Sequence, residues 1–171
     1  MQETPQQYIT RILGYQQGKK PLAVLWATAG KIEKLLKKAR SVSLKKRPEP
    51  DKWSAGEVLA HLADSELVFS FRLRLVLGSN GTPVQAFDQD VWAKYTQYPK
   101  LKPLESFERF KVLRGANVRL LKTIPKEMWD YYGMHSERGR EDVVRMTEMF
   151  AGHDINHVKQ LEGMLKESHR R

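Results

Sequence analysis

Three histidines are the residues in this chain best suited to chemistry: His61, His153 and His157. The last two form an H-x-x-x-H pair within Gly152-His153-Asp154-Ile155-Asn156-His157. Side chains four apart on a helix emerge on one side, roughly 6 Å apart along the axis. One metal ion can bridge such a pair, and a third imidazole from a facing helix completes the set. Three neutral nitrogen ligands leave a coordination position open, which suits a catalytic rather than a structural metal. Zinc commonly occupies such a set, but nickel and other first-row ions also take imidazole. The expectation is therefore one divalent ion of unspecified identity, bound by His61, His153 and His157.

The histidines must be carried by helices. Periodicity is helical almost throughout, with breaks at Pro21, Pro48, Pro50, Pro83, Pro99, Pro103 and Pro125. A short helix is expected over residues 4–17, capped by Thr4 with Pro5 at its first position. A second runs from Pro21 to about Ala39, and residues 41–52 read as a basic, proline-punctuated loop. Ser54 and Glu57 form a capping box that opens a helix to about Gly78, with Trp53 placed as a hydrophobic staple. Its apolar side carries Val58, Leu62, Phe69, Leu73 and Val76, with His61 at the edge, in line with Ser65, Val68 and Arg72. Residues 80–83 read as a loop, and a short helix is expected near Phe87 to Trp92. Residues 104–123 form another long helix and residues 125–129 a single turn. Tyr131 to Arg140 is irregular or a small hairpin. A last helix runs from about Asp142 to Lys166. Four long helices imply an all-α four-helix bundle with a short extra N-terminal helix, one domain over residues 1–171.

On the last helix, His153 and His157 fall on the apolar face. A buried imidazole is costly unless its nitrogens find partners. Two explanations fit: hydrogen-bonded core histidines, or metal ligands. His135 reads as a surface loop residue, and His169 as part of a frayed tail.

Bulk composition narrows the function classes. There is no cysteine among 171 residues, which excludes disulfides, thiolate ligands and a cysteine nucleophile. No apolar stretch is long enough to span a membrane. The N-terminal sequence lacks the order of a signal peptide, so a cytoplasmic protein is expected. Net charge is +10, and nine basic residues stand against three acidic ones between Lys31 and Lys52. That segment could attract nucleic acid or another polyanion, though a solvated helix face is the favoured reading.

The stretch Trp53-Ser54-x-x-Glu57-Val58-Leu59-x-His61-Leu62-x-Asp64-Ser65-Glu66 resembles the DinB/YfiT-like superfamily of metal-binding four-helix bundles. Phe87-Asp88-Gln89-Asp90-x-Trp92 and His153-Asp154-x-x-His157-x-x-Gln160 resemble it too. The resemblance covers roughly residues 47–165. It implies that His61, His153 and His157 bind a divalent metal. It also implies a function among those of the family: S-transfer or isomerisation with a low-molecular-weight thiol, or metal-dependent hydrolysis. A homodimer acting on a small molecule is expected. The chain departs from the family at the start of the last helix, where it has Glu141-Asp142-Val143-Val144.

Around the histidines, Asp64 or Glu57 could hold the distal ring nitrogen of His61, although a capping role competes for Glu57. Arg72 and the basic loops would favour an anionic thiol or substrate. Asp88, Asp90 and Trp92 belong to a crossover segment that could close over the bundle end. Helix capping and core packing are the competing roles there. With no internal cysteine, any thiol must arrive as cosubstrate. Sequence alone assigns no acid, base or nucleophile. The expected function is a metal-dependent transferase or hydrolase. The alternative is a non-catalytic, metal-stabilised helical protein that binds nucleic acid through its basic segment.

Overall fold

The computed structural model describes residues 3–167; His169 lies outside them. Seven helices and three short strands follow one another as α1 (Pro5–Gln16), α2 (Pro21–Lys38), α3 (Ser41–Lys45), α4 (Ala55–Gly78), β1 (Thr82–Val84), α5 (Gln89–Tyr95), α6 (Pro103–Thr123), β2 (Tyr132–His135), β3 (Gly139–Asp142) and α7 (Val143–Glu167). Single 3-10 turns at Tyr98–Lys100 and Lys126–Asp130 flank α6.

The four long helices form a ring. α4 packs on α6, α6 on α2, α2 on α7, and α7 closes back on α4. Local sequence signals set the helix starts. Thr4 and Gln7 form a capping box on α1, and Ser54 and Glu57 form one on α4. Asp142 accepts the Arg145 backbone N–H at 2.8 Å and so caps α7. The apolar stripe expected on α4 is buried in full. On α6, Phe107, Phe110, Val118 and Leu121 are buried, but Leu113 is only half-buried. Arg114 and Asn117 take the inward positions beside it.

α4 is unusual in that every residue from Ala55 to Glu66 is buried. Its first three turns are surrounded on all sides, so polar residues there must find partners inside the protein. Trp53, the short helix α3 and the Tyr98 turn supply this cover on the side away from α6 and α7.

Two elements differ from the sequence expectation. Residues 41–45 form a helical turn rather than loop, held by Leu44 against the core cluster around Val58 and Leu62. Thr82 and Pro83, expected as loop, instead form strand β1 with Val84, which pairs in parallel with β2 (Thr82 opposite Gly133, Val84 opposite His135). β2 and β3 make the expected hairpin, turning at Gly139 with φ +74°. Because β1 is an edge strand, Pro83 removes no bond the sheet needs. The added strand buries His135, which is 3 % exposed and not a surface loop residue.

α1 lies along α7. Its approach requires Gly152: a Cβ there would stand 2.1 Å from the Ile12 carbonyl oxygen. The N-terminal helix is thereby seated one residue from His153. Among the described residues, no helix is long and apolar enough to cross a membrane.

Candidate metal centre

α4 and α7 bring His61, His153 and His157 together. Their candidate ligand nitrogens lie within 4.8 Å of one another. The Nε2 atoms of His61 and His153 are 3.0 Å apart, and the Ser65 hydroxyl is 3.4 Å from His61 Nε2. Nitrogens held about 2.0–2.1 Å from one tetrahedral ion would be spaced by about 3.3 Å. The closest pair already has nearly that spacing.

Burial keeps these imidazoles neutral, the form a metal requires. It pushes the His61 pKa down to about 3, with the His157 charge adding to the effect. His153 falls well below its ordinary value, again through burial first and then its two imidazole neighbours. His157 is lowered by burial, against the opposing pull of Gln160. Its Nδ1–H donates to Gln160 Oε1 at 2.7 Å, which leaves Nε2 free to ligate. His61 Nδ1 is buried with no hydrogen-bond partner among the described residues. The donor set thus fits a divalent ion: three neutral nitrogens, one oriented by an amide, all converging.

The carboxylates expected to hold His61 are engaged elsewhere. Asp64 accepts the Tyr98 hydroxyl at 2.9 Å and lies 3.8 Å from Arg109. Glu57 accepts from the Ser54 backbone at 2.8 Å and pairs with Arg47. Beside the two other histidines, Trp53 packs on the His61 ring, with ring centroids 5.0 Å apart. Trp53 therefore walls the histidine cluster, a role that its reading as a helix staple did not include.

Asp88 caps α5, accepting the N–H groups of Asp90 and Val91 at 2.9 and 3.0 Å. Trp92 packs against Phe87 at 4.9 Å. Asp90 lies exposed at the rim of the two cavities that reach the histidines. Arg72 is buried and lines the larger of these, a cavity of about 540 Å³ with His61, Ser65 and His153 in its wall. The N-terminal helix contributes Tyr8 to both cavities and Arg11 to the smaller.

Sequence reasoning did not find the charged network behind the site. Arg114 on α6 donates through Nε to Glu66 at 2.9 Å and through Nη2 to Asp154 at 2.9 Å, and it pairs with Asp154 through Nη1 as well. Asn117 donates to Glu66 Oε1 at 2.7 Å. The network ties the helix of His61 to that of His153 through α6. The available signal was a set of polar residues at inward positions of α6.

A family profile described as the DinB superfamily matches residues 25–161. One relative, from Oceanobacillus iheyensis and named "Putative metal-dependent hydrolase OB0413", is 29% identical over 113 residues, covering 64% of this chain and 63% of its own. A second from the same organism, "Putative metal-dependent hydrolase OB0782", is 24% identical over 115 residues, covering 67% and 66%. The matches thus span just under two thirds of these relatives' length. Among solved structures, YfiT from Bacillus subtilis, described as a probable metal-dependent hydrolase with an unusual four-helix bundle topology, superposes with a TM-score of 0.79. It is 17% identical, over 86% of this chain and 85% of its own. A mycothiol-dependent maleylpyruvate isomerase matches with a TM-score of 0.66 at 11% identity, over 82% and 59%. These two show a shared bundle fold. α1 precedes the region of the family profile, so the wall it lends to the cavities lies outside the matched segment. With most of its length matched by the profile and the three histidines clustered between two helices of the bundle, this chain belongs to the DinB superfamily.

Proposed function

We propose that the protein is a metal-dependent hydrolase of small molecules, with His61, His153 and His157 as the ligands of one divalent ion. The observation that carries this reading is the convergence of three neutral imidazoles, His61 and His153 on the wall of the larger cavity and His157 with His153 on that of the smaller. The names of the two Oceanobacillus relatives support it. When bound, such an ion supplies Lewis acidity and lowers the pKa of water enough to make a nucleophile near neutral pH.

The chain's own residues do the rest. Gln160 holds His157 in the ligating tautomer. Trp53 packs on His61 and limits the movement of its ring. Phe87 and Phe150 give the cavity apolar walls for the body of a substrate. Ser65, one turn along α4 from His61, sets its hydroxyl 3.4 Å from His61 Nε2.

A second reading, S-transfer with an external thiol, keeps the same ligands. The absence of cysteine makes an added thiol necessary for it. Nucleic-acid binding through residues 31–52 is the non-enzymatic alternative; the lysines there are exposed, while Arg47 is drawn to Glu57.

The test is reconstitution with zinc, nickel or manganese, followed by assays of ester and amide hydrolysis. A parallel arm supplies glutathione, bacillithiol or mycothiol with a chlorinated aromatic electrophile. Turnover should require the metal and vanish in His157→Ala. Thiol-dependent turnover alone would transfer the assignment to S-transfer. No turnover, with tight DNA binding that falls steeply with salt, would refute an enzyme.

A further inference from the structure

Arg72 is 6 % exposed and makes no ion pair among the described residues. Its Nη2 donates to the Gln85 carbonyl at 2.5 Å, and the Phe87 ring lies 5.8 Å from its guanidinium carbon. Neither partner carries a charge. Nε and Nη1 are not sealed off by protein, and the residue lines the cavity that also holds His61 and His153. A desolvated cation without a counter-ion is costly, and proteins retain one where a ligand supplies the missing charge. Burial, and next the nearby Arg138 charge, lower its pKa to about 10, so it remains charged at neutral pH.

The other charges on this cavity favour one kind of anion. Arg138 is paired in two-pronged fashion with Glu141, at 2.6 and 2.8 Å, and Glu3 likewise with Arg11. Asp90 and Glu137 are exposed, where water screens them. Among the described residues, the cavity's single free cation thus lies buried beneath a rim of exposed carboxylates. One guanidinium neutralises one negative charge and leaves a second uncompensated. The fork of N–H donors suits a planar carboxylate.

Length follows from the helix. Arg72 comes eleven positions after His61 on α4, and helical side chains lean back towards the N-terminus. The guanidinium and the histidine cluster are therefore on the order of 10 Å apart.

We infer that Arg72 is the anchor for a substrate monocarboxylate, holding a molecule whose reacting group lies about 10 Å away at the histidine cluster. Phe87 and Phe150 flank the organic body between the two ends. The identity of the reacting end rests on the hydrolase reading above; the anchor itself is read by binding.

The test is calorimetric titration of zinc-loaded protein with 6-acetamidohexanoate, whose carboxylate stands about 9 Å from its acetamide carbonyl. Neutral 6-acetamidohexanamide and dianionic 6-acetamidohexyl phosphate serve as controls. The acid should bind at least about tenfold more tightly than the neutral amide, and more tightly than the phosphate. Arg72→Met should abolish the preference for acid over amide while leaving zinc content unchanged. Arg72→Lys should keep the preference but bind more weakly, which serves if the methionine variant fails to fold. The inference is overturned if acid and amide bind alike, if neither binds at millimolar concentration, or if the phosphate binds more tightly. It is also overturned if acid binding survives in Arg72→Met, which would place the carboxylate on the zinc. Intact acid preference without any hydrolysis would leave the anchor standing and remove the hydrolase reading alone.

Discussion

Arg114→Met cuts the charged network behind the histidines and leaves its carboxylates stranded. Arg114 is 3 % exposed, Glu66 0 % and Asp154 1 %, so water cannot take over the role of the guanidinium. Burial opposes the arginine's charge, but Asp154 and Glu66 outweigh it and hold its pKa above the ordinary value. The same guanidinium donates to the Leu25 carbonyl at 3.1 Å and lies 4.7 Å from the Phe110 ring centre. Methionine keeps part of that packing and none of the donors. Removing one partner from a buried ion pair costs about 3–5 kcal/mol. That is a large share of the roughly 5–15 kcal/mol that holds a typical domain folded. For a chain of this length it corresponds to a melting temperature lower by roughly 6–20 °C. Urea unfolding of metal-free protein at pH 7 reads the loss. A triple variant, Arg114→Met with Glu66→Gln and Asp154→Asn, removes every charge and is expected to recover part of it. Zinc affinity should fall in Arg114→Met as well, since Asp154 neighbours His153 on α7. A single variant within about 1 kcal/mol of wild type, or a triple variant no more stable than the single one, would refute this account of the network.

Four further outcomes are expected. Alanine at His61, His153 or His157 should each remove stoichiometric metal from tag-free protein; full metal content in all three variants would sink the ligand assignment. Gly152→Ala should destabilise the protein by about 1–3 kcal/mol and loosen α1, because its Cβ meets the Ile12 backbone; hydrogen exchange of α1 amides measures this, and unchanged protection would contradict the packing described. Tyr98→Phe leaves Asp64 without its buried donor and should cost about 1–3 kcal/mol by chemical denaturation, against no change if that bond contributes nothing. His135 is held neutral by burial first and then by Arg138 and Arg72, with its pKa lowered to about 4. The unfolded chain takes up that proton near the ordinary value of about 6.5 while the folded chain does not. Stability should therefore be full above that pH and decline towards about pH 4, relative to His135→Gln, and parallel pH profiles for the two proteins would count against it.

The helical architecture was legible because its signals are local. The capping boxes at Thr4 and Ser54, the prolines that open α2 and α6, and the apolar stripe of α4 are written within a few residues of the structure they direct. The H-x-x-x-H pair carries its own geometry for the same reason, because a helix turn spaces the two rings whatever surrounds them. Three features needed the folded chain. β1 exists only through pairing with a strand some fifty residues away, so Thr82 and Pro83 read as loop and His135 as exposed. Asp64 and Glu57 stand within one turn of His61, yet Tyr98 and Arg47 claim them from other segments. Arg114 takes an inward position on α6, but its carboxylate partners lie on α4 and α7. Helix periodicity determines which side of a helix a residue occupies. Which buried charges meet across helices is decided by packing, because low-dielectric contacts form only where separate elements converge.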